Sequence, residues 1–600
     1  MAQPTSHAFT IEFAGAAPSV WRVMADTARC NALAGLPKQT ITEVPGPQGE
    51  IAFIARAKLG RLALEWEDLP CNWVRERWFE HRRVFRSGPL ATLNARLDLT
   101  PAPDGSHGRY QVEARPRGLL GRLVLAGGFL RASERMFRRL ARQADRFARG
   151  EQAVPLVPAK AAVVGPARAR LDALAGQLDA GSYGHGLGQR LAGEIAEGLE
   201  VDVERLRPLE LARRWAVPER HVVEACLEAT RLGMLELRWE LLCPRCRGAK
   251  AGSGTLDQLP TGAHCATCNI DYGRDFSRNV ELTLRPVEAI RPIAQGEFCL
   301  LGPMSTPHIW AHVTLEAGEQ RDIELTLASG PYRLRTLEIG PQCDIEHDGN
   351  AFPSVVVSAD AVAGGAPSPA GMVRLANRSD RRRTLVVEDR RWVRDALTAD
   401  RVATMQVFRD LFSTEVLRPG DEVAIRRVTL LFSDLKGSTA LYEKVGDAGA
   451  YHLVRAHFAY LAAIVREHDG AIVKTIGDAV MAAFHEPTQG LRAAVAMQGR
   501  VAAFNAQNSA PIVLKLGLHE GPCIAVTLND RLDYFGQTVN LAARLQGQSW
   551  GGDVVLSPAL VPLVEAAALP AGHQLTRETA MLRGLAEPVA FMRLAVHSVA

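Results

Sequence analysis

The chain contains 600 residues, with 70 basic and 66 acidic side chains and a formal net charge of +4. This balance gives no indication of a nucleic-acid partner, and 47% hydrophobic with 23% charged residues excludes a disordered or fibrous chain. The length requires roughly three to five domains. Because the chain shows no secretory leader and no run of about 18 apolar residues, we expect a cytoplasmic protein without a membrane span.

Residues 1–150 show the pattern of a sheet followed by one long helix. Strand-like alternation covers residues 7–13 and 78–85, and a helical pattern covers residues 132–148. This order resembles START-like helix-grip domains, which implies an α+β domain whose sheet and long helix enclose a cavity for an apolar small molecule. A solidly packed core is the alternative to that ligand site.

Residues 151–200 are rich in Ala, Gly and Pro and predict a linker. Residues 201–241 then predict two short helices and a strand, an order that resembles a winged helix. Because this segment has no concentrated basic face, we expect a protein interface there and not a nucleic-acid site.

Four cysteines in two close pairs predict a metal site within residues 242–278. Cys243 and Cys246 form the first pair, Cys265 and Cys268 form the second, and 18 residues separate the pairs. This spacing resembles a zinc ribbon, in which four thiolates surround one structural Zn²⁺ and leave no position open for a substrate. Free or disulfide-forming cysteines are the alternative. The six other cysteines are scattered, which is typical of a reducing compartment.

Period-two alternation returns over residues 279–390, broken by Gly and Pro. This pattern predicts a β-rich domain, either a sandwich or a small barrel. Residues 391–426 follow as a helical connector, with a helical pattern over residues 392–412. The chain is thus predicted to be a multidomain α+β protein that ends with one further domain, residues 427–600.

The last domain contains two carboxylates that each follow an apolar strand. Asp434 precedes a turn with Gly437 and Thr439, where backbone N–H groups can hold phosphate oxygens. Asp478 lies in a Gly-Asp turn between two further apolar strands. Two such carboxylates suit a pair of divalent cations, whereas a single aspartate after a strand is more often a helix cap.

Candidate nucleotide-binding residues lie in the same domain. Lys474 belongs to the strand before Asp478, and Asp533 follows a later strand. Asn540 and Arg544 are four positions apart in a predicted helix, so they share one face and can address the same bound group, such as a phosphate.

These segments, in this order, resemble the catalytic domain of class III adenylyl and guanylyl cyclases across about residues 427–594. The resemblance implies a ferredoxin-like βαββαβ core. It also implies three pairs of functional residues, namely Asp434 and Asp478 for two Mg²⁺ or Mn²⁺ ions, Lys474 and Asp533 for the base, and Asn540 and Arg544 for the transition state.

The implied reaction is in-line attack of the ribose 3′-hydroxyl on the α-phosphorus, with release of pyrophosphate. Lys474 donates a hydrogen bond and Asp533 accepts one, which matches N1 and the amine of adenine and not the reversed pattern of guanine. ATP is therefore the expected substrate. The family builds each active site from two chains, so the resemblance also implies a homodimer with two equivalent sites.

One position departs from the family pattern. A late strand usually supplies a Lys in an L-K-G turn, and this chain has Leu582, Arg583 and Gly584 there. Arg583 is the expected triphosphate ligand, although its guanidinium fork has a different geometry from an ammonium group. We expect His519 to be structural.

The leading hypothesis is an adenylate cyclase in which roughly the first 400 residues control the dimer geometry in response to a ligand or a partner. Two other functions compete with it. One is a nucleotide-binding or scaffold protein whose cyclase-like domain has lost turnover, and this protein would form no cyclic AMP. The other is a zinc-dependent DNA-binding regulator, whose binding would fall steeply with salt.

Overall fold

The computed structural model describes residues 3–45, 51–265, 268, 270–299, 302–338, 340–391, 396–508, 510–566, 573–584 and 587–596. Within these ranges, no helix is both long enough and apolar enough to cross a membrane. Four units follow one another along the chain, and they are described here in that order.

The N-terminal unit is an antiparallel sheet with four helices. Its elements are β1 (Thr5–Phe13), α1 (Ala17–Met24), α2 (Thr27–Leu33), β2 (Thr40–Pro45), β3 (Ile51–Leu59), β4 (Leu62–Asp68), β5 (Asn72–Val74), β6 (Trp78–Phe85), β7 (Leu90–Ala102), β8 (Gly105–Pro116), α3 (Gly118–Ala126) and α4 (Phe129–Ala148). The long helix α4 packs against β1, which pairs with β8. Between them, the rings of Tyr110 and Phe137 stack with centroids 3.7 Å apart. Aromatic side chains thus occupy space where the sequence predicted an apolar ligand, and that ligand stays a prediction.

The second unit combines helices with a small sheet ordered β10-β9-β13. Its elements are α5 (Gly165–Ala180), α6 (Gly188–Glu197), α7 (Glu200–Val203), α8 (Pro208–Trp215), α9 (Glu219–Arg231), β9 (Leu235–Leu242), β10 (Ala249–Ser253), β11 (Gly262–Cys265), β12 (Ile270–Gly273) and β13 (Val280–Pro286). Two helices precede β9, as expected for residues 201–241, and the winged-helix resemblance stays a prediction.

The prediction of a linker over residues 151–200 was wrong for most of that segment. Helices α5 and α6 lie there, and Leu171, Leu178 and Leu191 are buried in the core that also contains α9. The many Ala and Gly residues diluted the apolar periodicity. In the folded chain these small side chains let the helices pack closely.

The third unit is a β-sandwich. Its elements are β14 (Ile309–Leu315), β15 (Gln320–Glu324), β16 (Gly330–Thr336), β17 (Gln342–His347), β18 (Pro353–Val357), β19 (Val362–Pro367), β20 (Met372–Asn377) and β21 (Arg383–Asp389). One sheet is ordered β15-β20-β18-β19, and it shares an apolar core with β14, β16 and β21 of the other.

Both ends of the predicted β-rich domain need correction. β13 was assigned to residues 279–390, but it pairs with β9 of the second unit. β14 pairs with β5 of the N-terminal unit, where His312 lies opposite Trp73 and the two rings stack at 4.4 Å. The N-terminal and third units therefore share one twelve-stranded sheet. Local sequence patterns do not predict long-range strand pairing, so we predicted two separate domains where the structure has one sheet.

Two short helices connect these units to the last one. They are α10 (Ala399–Ala403) and α11 (Gln406–Leu411). The sequence predicted one helical stretch over residues 392–412, of which residues 392–395 lie outside the described residues. The backbone turns between the helices, where Met405 adopts an extended conformation.

The last unit is an α/β domain built on one sheet. Its elements are β22 (Val423–Leu435), α12 (Ser438–Glu467), β23 (Gly470–Ile476), β24 (Ala479–Phe484), α13 (Pro487–Ala506), β25 (Leu514–Leu528), β26 (Arg531–Phe535), α14 (Gln537–Gly547), β27 (Asp553–Leu556), α15 (Val561–Ala566), β28 (Gln574–Ala580) and β29 (Val589–Ala595). The strand order is β23-β24-β22-β25-β27-β29-β28, and β26 extends from β25. From β22 to β25 the elements follow the predicted βαββαβ order.

Both faces of this sheet are covered. Alternate residues of the central strands point to opposite sides, so Leu431 and Ala482 join the core formed with α12 and α13. Leu430 and Ala483 point the other way and join the core that contains α9 and α11. The second unit and the connector therefore cover the face that the domain's own helices α12 and α13 leave open.

Candidate active site

Asp434 and Asp478 lie together at one end of the central strands. β22 ends one residue after Asp434, and Asp478 follows Gly477 (φ +63°) in the turn between β23 and β24. Burial, and then the charge of Asp478, raise the pKa of Asp434 above its ordinary value. Within the described part of the chain, Oδ2 of Asp478 is buried and has no hydrogen-bond partner. Two neighbouring carboxylates with an unpaired oxygen fit a cation site.

Two side chains of α12 that the sequence reasoning missed lie beside the carboxylates. Burial and the charges of Asp478 and Asp434 raise the pKa of Tyr442 to about 12. His457 is fully buried, and burial lowers its pKa to about 4 while the charge of Asp478 opposes that shift. The only sequence signal for them was their position on the helix that follows Asp434.

The turn after Asp434 leads directly into α12. Gly437 adopts a left-handed conformation (φ 70°) at the start of the helix, and no side chain caps this end. Thr439 is exposed in the first turn. The N–H groups of a first helical turn have no partner within the helix, so this end can accept an anion next to the two carboxylates.

Lys474 and Asp533 meet in the folded chain. Nζ of Lys474, on β23, donates to Oδ2 of Asp533, on β26, at 2.6 Å. The Asp533 side chain is nearly buried, whereas the Lys474 side chain is about one-third exposed. The residues are 59 positions apart in the chain, so the fold brings together two residues that the sequence paired only through a resemblance.

Asn540 and Arg544 lie on α14 and face away from Asp434. Gln546 of the same helix, which the sequence reasoning missed, donates from Nε2 to Oδ2 of Asp434 at 3.5 Å. Arg544 precedes Gln546 by two residues and is therefore rotated by about 200° around the helix. Asn540 is one turn from Arg544, is exposed, and shares its face.

Arg544 lies close to the turn that contains Arg583. Its Nη2 atom is 3.2 Å from the position that a Cβ atom on Gly584 would take. Leu582 is buried and anchors this turn, whereas Arg583 is exposed. The structure therefore brings Arg544 to the turn that contains Arg583, although about forty positions separate the two residues in the chain.

His519 lies on β25, away from these charged groups. Burial lowers its pKa to about 4, and its Nδ1 atom has no hydrogen-bond partner among the described residues. The structural role expected for His519 stays a prediction.

The four cysteines form a second candidate site. The Sγ atoms of Cys243, Cys246, Cys265 and Cys268 lie within 4.8 Å of one another, and all four residues are buried. Sγ of Cys246 is 3.7 Å from Sγ of Cys265. Four converging thiols at this spacing fit one tetrahedral metal ion, and residues 266, 267 and 269 of the second turn lie outside the described residues.

Two segments of the chain match known families. Residues 422–585 match the adenylate and guanylate cyclase catalytic domain. Residues 182–301, which include most of the second unit and the cysteine cluster, match a family of unknown function (DUF5939).

Similar curated proteins include cyclases of both specificities. An adenylate cyclase of Anabaena cylindrica is 29% identical over 152 residues, which cover 23% of this chain and 30% of that protein. Adenylate cyclase 1 of Rhizobium meliloti is 29% identical over 153 residues, 23% of each chain. Retinal guanylyl cyclase 1 of Homo sapiens is 32% identical over 148 residues, 22% of this chain and 13% of that protein. The chain thus spans less than a third of the length of these relatives.

Solved structures similar to the chain are also cyclases. The adenylyl cyclase CyaB from P. aeruginosa is 22% identical, with 30% of this chain and 97% of that chain covered and a TM-score of 0.27. The guanylyl cyclase Cya2 is 23% identical, with 30% and 94% covered and a TM-score of 0.26.

Proposed function

Since residues 422–585 form a class III adenylate and guanylate cyclase catalytic domain, we propose that this protein is a regulated adenylate cyclase that converts ATP to 3′,5′-cyclic AMP and pyrophosphate. The observation that supports the choice of ATP is the contact between Lys474 and Asp533. The facing pair Asp434 and Asp478 supports turnover, because a domain that had lost its activity would have no need to keep two like charges together.

The carboxylate pair fits divalent cations. Asp478 keeps a buried oxygen without a donor, and Asp434 has a raised pKa because of burial and its neighbour. These two residues would hold two Mg²⁺ or Mn²⁺ ions. When bound, such ions lower the pKa of the 3′-hydroxyl and neutralise the triphosphate. The uncapped start of α12, with Gly437 and Thr439, would hold phosphate oxygens beside them.

Lys474 and Asp533 would select the base. When no base is bound, the two side chains form a hydrogen bond with each other. Adenine must therefore replace this bond with one hydrogen bond to Lys474 and one to Asp533. Guanine would present a donor to Lys474 and an acceptor to Asp533. Sites that leave buried polar groups unpaired in this way reject the wrong ligand by roughly 10⁴-fold.

We propose that each active site is shared between two chains in a homodimer. Gln546 faces Asp434 of its own chain, so Asn540 and Arg544, on another side of α14, face away from it. A partner chain is then needed to bring those two residues to the reacting phosphate. There Asn540 would orient the ribose, and Arg544 would stabilise charge on the phosphorus. Arg583 would contact the triphosphate next to Arg544.

Regulation would act through α11. Oε1 of Gln406 accepts from the backbone N–H of Ile472 at 2.7 Å, and Nη1 of Arg409 donates to the backbone carbonyl of Leu532 at 2.9 Å. Ile472 and Leu532 lie on β23 and β26, the strands that carry Lys474 and Asp533. One short helix therefore holds both base-binding strands, in an arrangement where the two side chains bind each other. We propose that this is the resting state and that the N-terminal half releases it.

The cysteine cluster would hold one structural Zn²⁺. All four thiols are consumed by a tetrahedral ion, so the site offers no position for a substrate. The ion would brace the hairpin of β11 and β12 next to β9.

The proposal is tested by assaying the full chain with ATP and with GTP in the presence of Mn²⁺ or Mg²⁺. We expect cyclic AMP as the main product. Cyclic GMP at an equal rate would contradict the assignment of Lys474 and Asp533. If neither product forms, even after α11 is released as below, the protein is a silent nucleotide-binding or scaffold protein. Salt-sensitive DNA binding without turnover would support the DNA-binding alternative.

The role of α11 has its own test. Arg409→Ala removes the bond to β26 without touching the proposed active-site residues, so we expect kcat/KM for ATP to rise by about fivefold or more. Arg492→Ala, at an exposed arginine of α13, is the matched control and should change nothing. A loss of activity in Arg409→Ala, at unchanged thermal stability, would show that α11 supports the active state.

A further inference from the structure

The N-terminal unit exposes a run of leucines on α3. Leu119, Leu120 and Leu123 are 77%, 59% and 68% exposed. They lie within about 100° of one another around the helix. The opposite side of α3 is fixed to the domain, because a Cβ on Gly121 would lie 2.0 Å from the carbonyl oxygen of Pro89 and Leu125 packs on an apolar cluster. Because the opposite side of α3 is packed against the domain, the leucines are exposed on a firmly attached helix.

A stripe of arginines follows on α4. Five exposed arginines recur every three or four residues and so share one helical face, namely Arg131, Arg135, Arg139, Arg142 and Arg146. None of the five forms an ion pair or a side-chain hydrogen bond within the described part of the chain. The opposite face of α4, with Phe137 and Leu140, is buried against the sheet.

The segment that contains α3 and the start of α4 carries charge of one sign only. Between Glu113 and Glu134 there are four arginines and no acidic residue. The whole chain is nearly neutral, so this concentration is local. The turn between β3 and β4 lies at the same end of the sheet, because Leu64 of β4 approaches Gly88 and the next residue, Pro89, contacts α3. That turn adds two exposed leucines, Leu59 and Leu62, next to Lys58 and Arg61.

We propose that α3 and the arginine stripe dock the N-terminal unit onto the surface of a lipid bilayer that contains anionic lipid. Exposed leucines can enter the boundary between headgroups and acyl chains, and the arginines of α4, the next helix in the chain, are attracted to anionic headgroups. A nucleic acid would use the arginines but would leave the leucines in water. A small apolar ligand would use the leucines but not the stripe. A bilayer offers an apolar layer to the leucines and anionic headgroups to the stripe, so its chemistry matches both features.

The test is co-sedimentation of the full chain with vesicles of phosphatidylcholine that contain about 30% phosphatidylglycerol. We expect binding to these vesicles, little binding to pure phosphatidylcholine, and weaker binding as salt rises. Leu119→Gln with Leu123→Gln should reduce binding by more than about tenfold, because two exposed leucines no longer enter the apolar layer. Arg135→Gln with Arg139→Gln should also reduce it and should remove most of the salt dependence.

Matched control variants replace exposed apolar and arginine side chains at positions outside the proposed surface. Val164→Gln replaces another 68% exposed apolar side chain, and Arg170→Gln with Arg492→Gln removes two exposed arginines outside the stripe. These variants should bind as the original chain does. Circular dichroism and thermal unfolding verify that every variant is folded.

Four results would overturn the proposal. The first is no binding of the original chain to the anionic vesicles at about 0.1 M salt. The second is equal binding by the leucine variant and its control. The third is a change of oligomeric state in the leucine variant without any effect on vesicles, because the leucines would then contact a second copy of the chain. Binding of single-stranded DNA in place of vesicles would also reject a lipid partner.

Discussion

The replacement of Asp434 by Asn tests whether the pair Asp434 and Asp478 binds cations or stabilises the fold. Asp434 is held near Asp478 in a partly buried position, and both burial and that neighbour raise its pKa. An amide of the same shape removes the like-charge repulsion. The metal-free catalytic domain of Asp434→Asn should therefore be as stable as the original or more stable. Because the pair is partly exposed and screened, we expect a gain below about 1 kcal/mol, or a rise in Tm of at most about 2–4 °C.

The response to metal should be the opposite. An ion at one hundred times its Kd stabilises a protein by about 2.7 kcal/mol, which raises the Tm of a domain of this size by about 5–10 °C. The original chain should show this shift with Mn²⁺, and Asp434→Asn should lose most of it together with cyclase activity. The assay is thermal unfolding of the full chain with chelator and with Mn²⁺, following the transition that responds to the metal.

Asp447→Asn is the control for this experiment. Asp447 is exposed on α12 and has no hydrogen-bond partner in the described structure, so its replacement should leave both the Tm and the Mn²⁺ shift unchanged. If Asp434→Asn lowers the metal-free Tm by several degrees, the carboxylate has a structural role. If Mn²⁺ stabilises that variant as much as the original chain, the two aspartates are not the cation site.

Three further outcomes are expected. Lys474→Glu should reduce the preference for ATP over GTP in the product ratio, and an unchanged ratio would remove Lys474 from base selection. Neither Asp434→Ala nor Arg544→Ala should be active alone, with a loss of at least about 10²-fold each. An equal mixture should recover up to about one quarter of the activity, because about half of the dimers are mixed and one of the two sites in each mixed dimer is intact. No recovery in proven heterodimers would contradict the shared site. Cys246→Ser should release the metal detected by elemental analysis and destabilise the second unit, whereas Cys343→Ser, outside the cluster, should not.

The catalytic domain could be predicted from the sequence because its signals are local. Each candidate residue lies in or after a strand, at a glycine turn or at a helical spacing, and the order of elements from β22 to β25 matched the prediction. The family resemblance assigned Lys474 and Asp533 to the same base, but it did not predict the hydrogen bond between them. Tyr442, His457 and Gln546 were missed because each is an ordinary helical residue until the fold places it beside an aspartate.

The first two thirds of the chain could be predicted less well. The helices α5 and α6 lie in a segment whose Ala and Gly content suggested a linker, and their stability comes from a shared core and not from their own periodicity. The pairing of β5 with β14 joins residues more than two hundred positions apart. The residue pattern of a strand does not show which other strand it pairs with. We therefore predicted a domain boundary where the structure has a continuous sheet.

That continuous sheet constrains how any stimulus could travel through the molecule. A signal received near α3 cannot be relayed by a hinge between the N-terminal unit and the sandwich, because bending there would break the ladder between β5 and β14 and unstack Trp73 from His312. We therefore expect the two units to move together as one rigid body. Fragments cut between them would expose two unpaired strand edges, which invite aggregation, so a dissection of this protein should keep residues 1–391 in one piece.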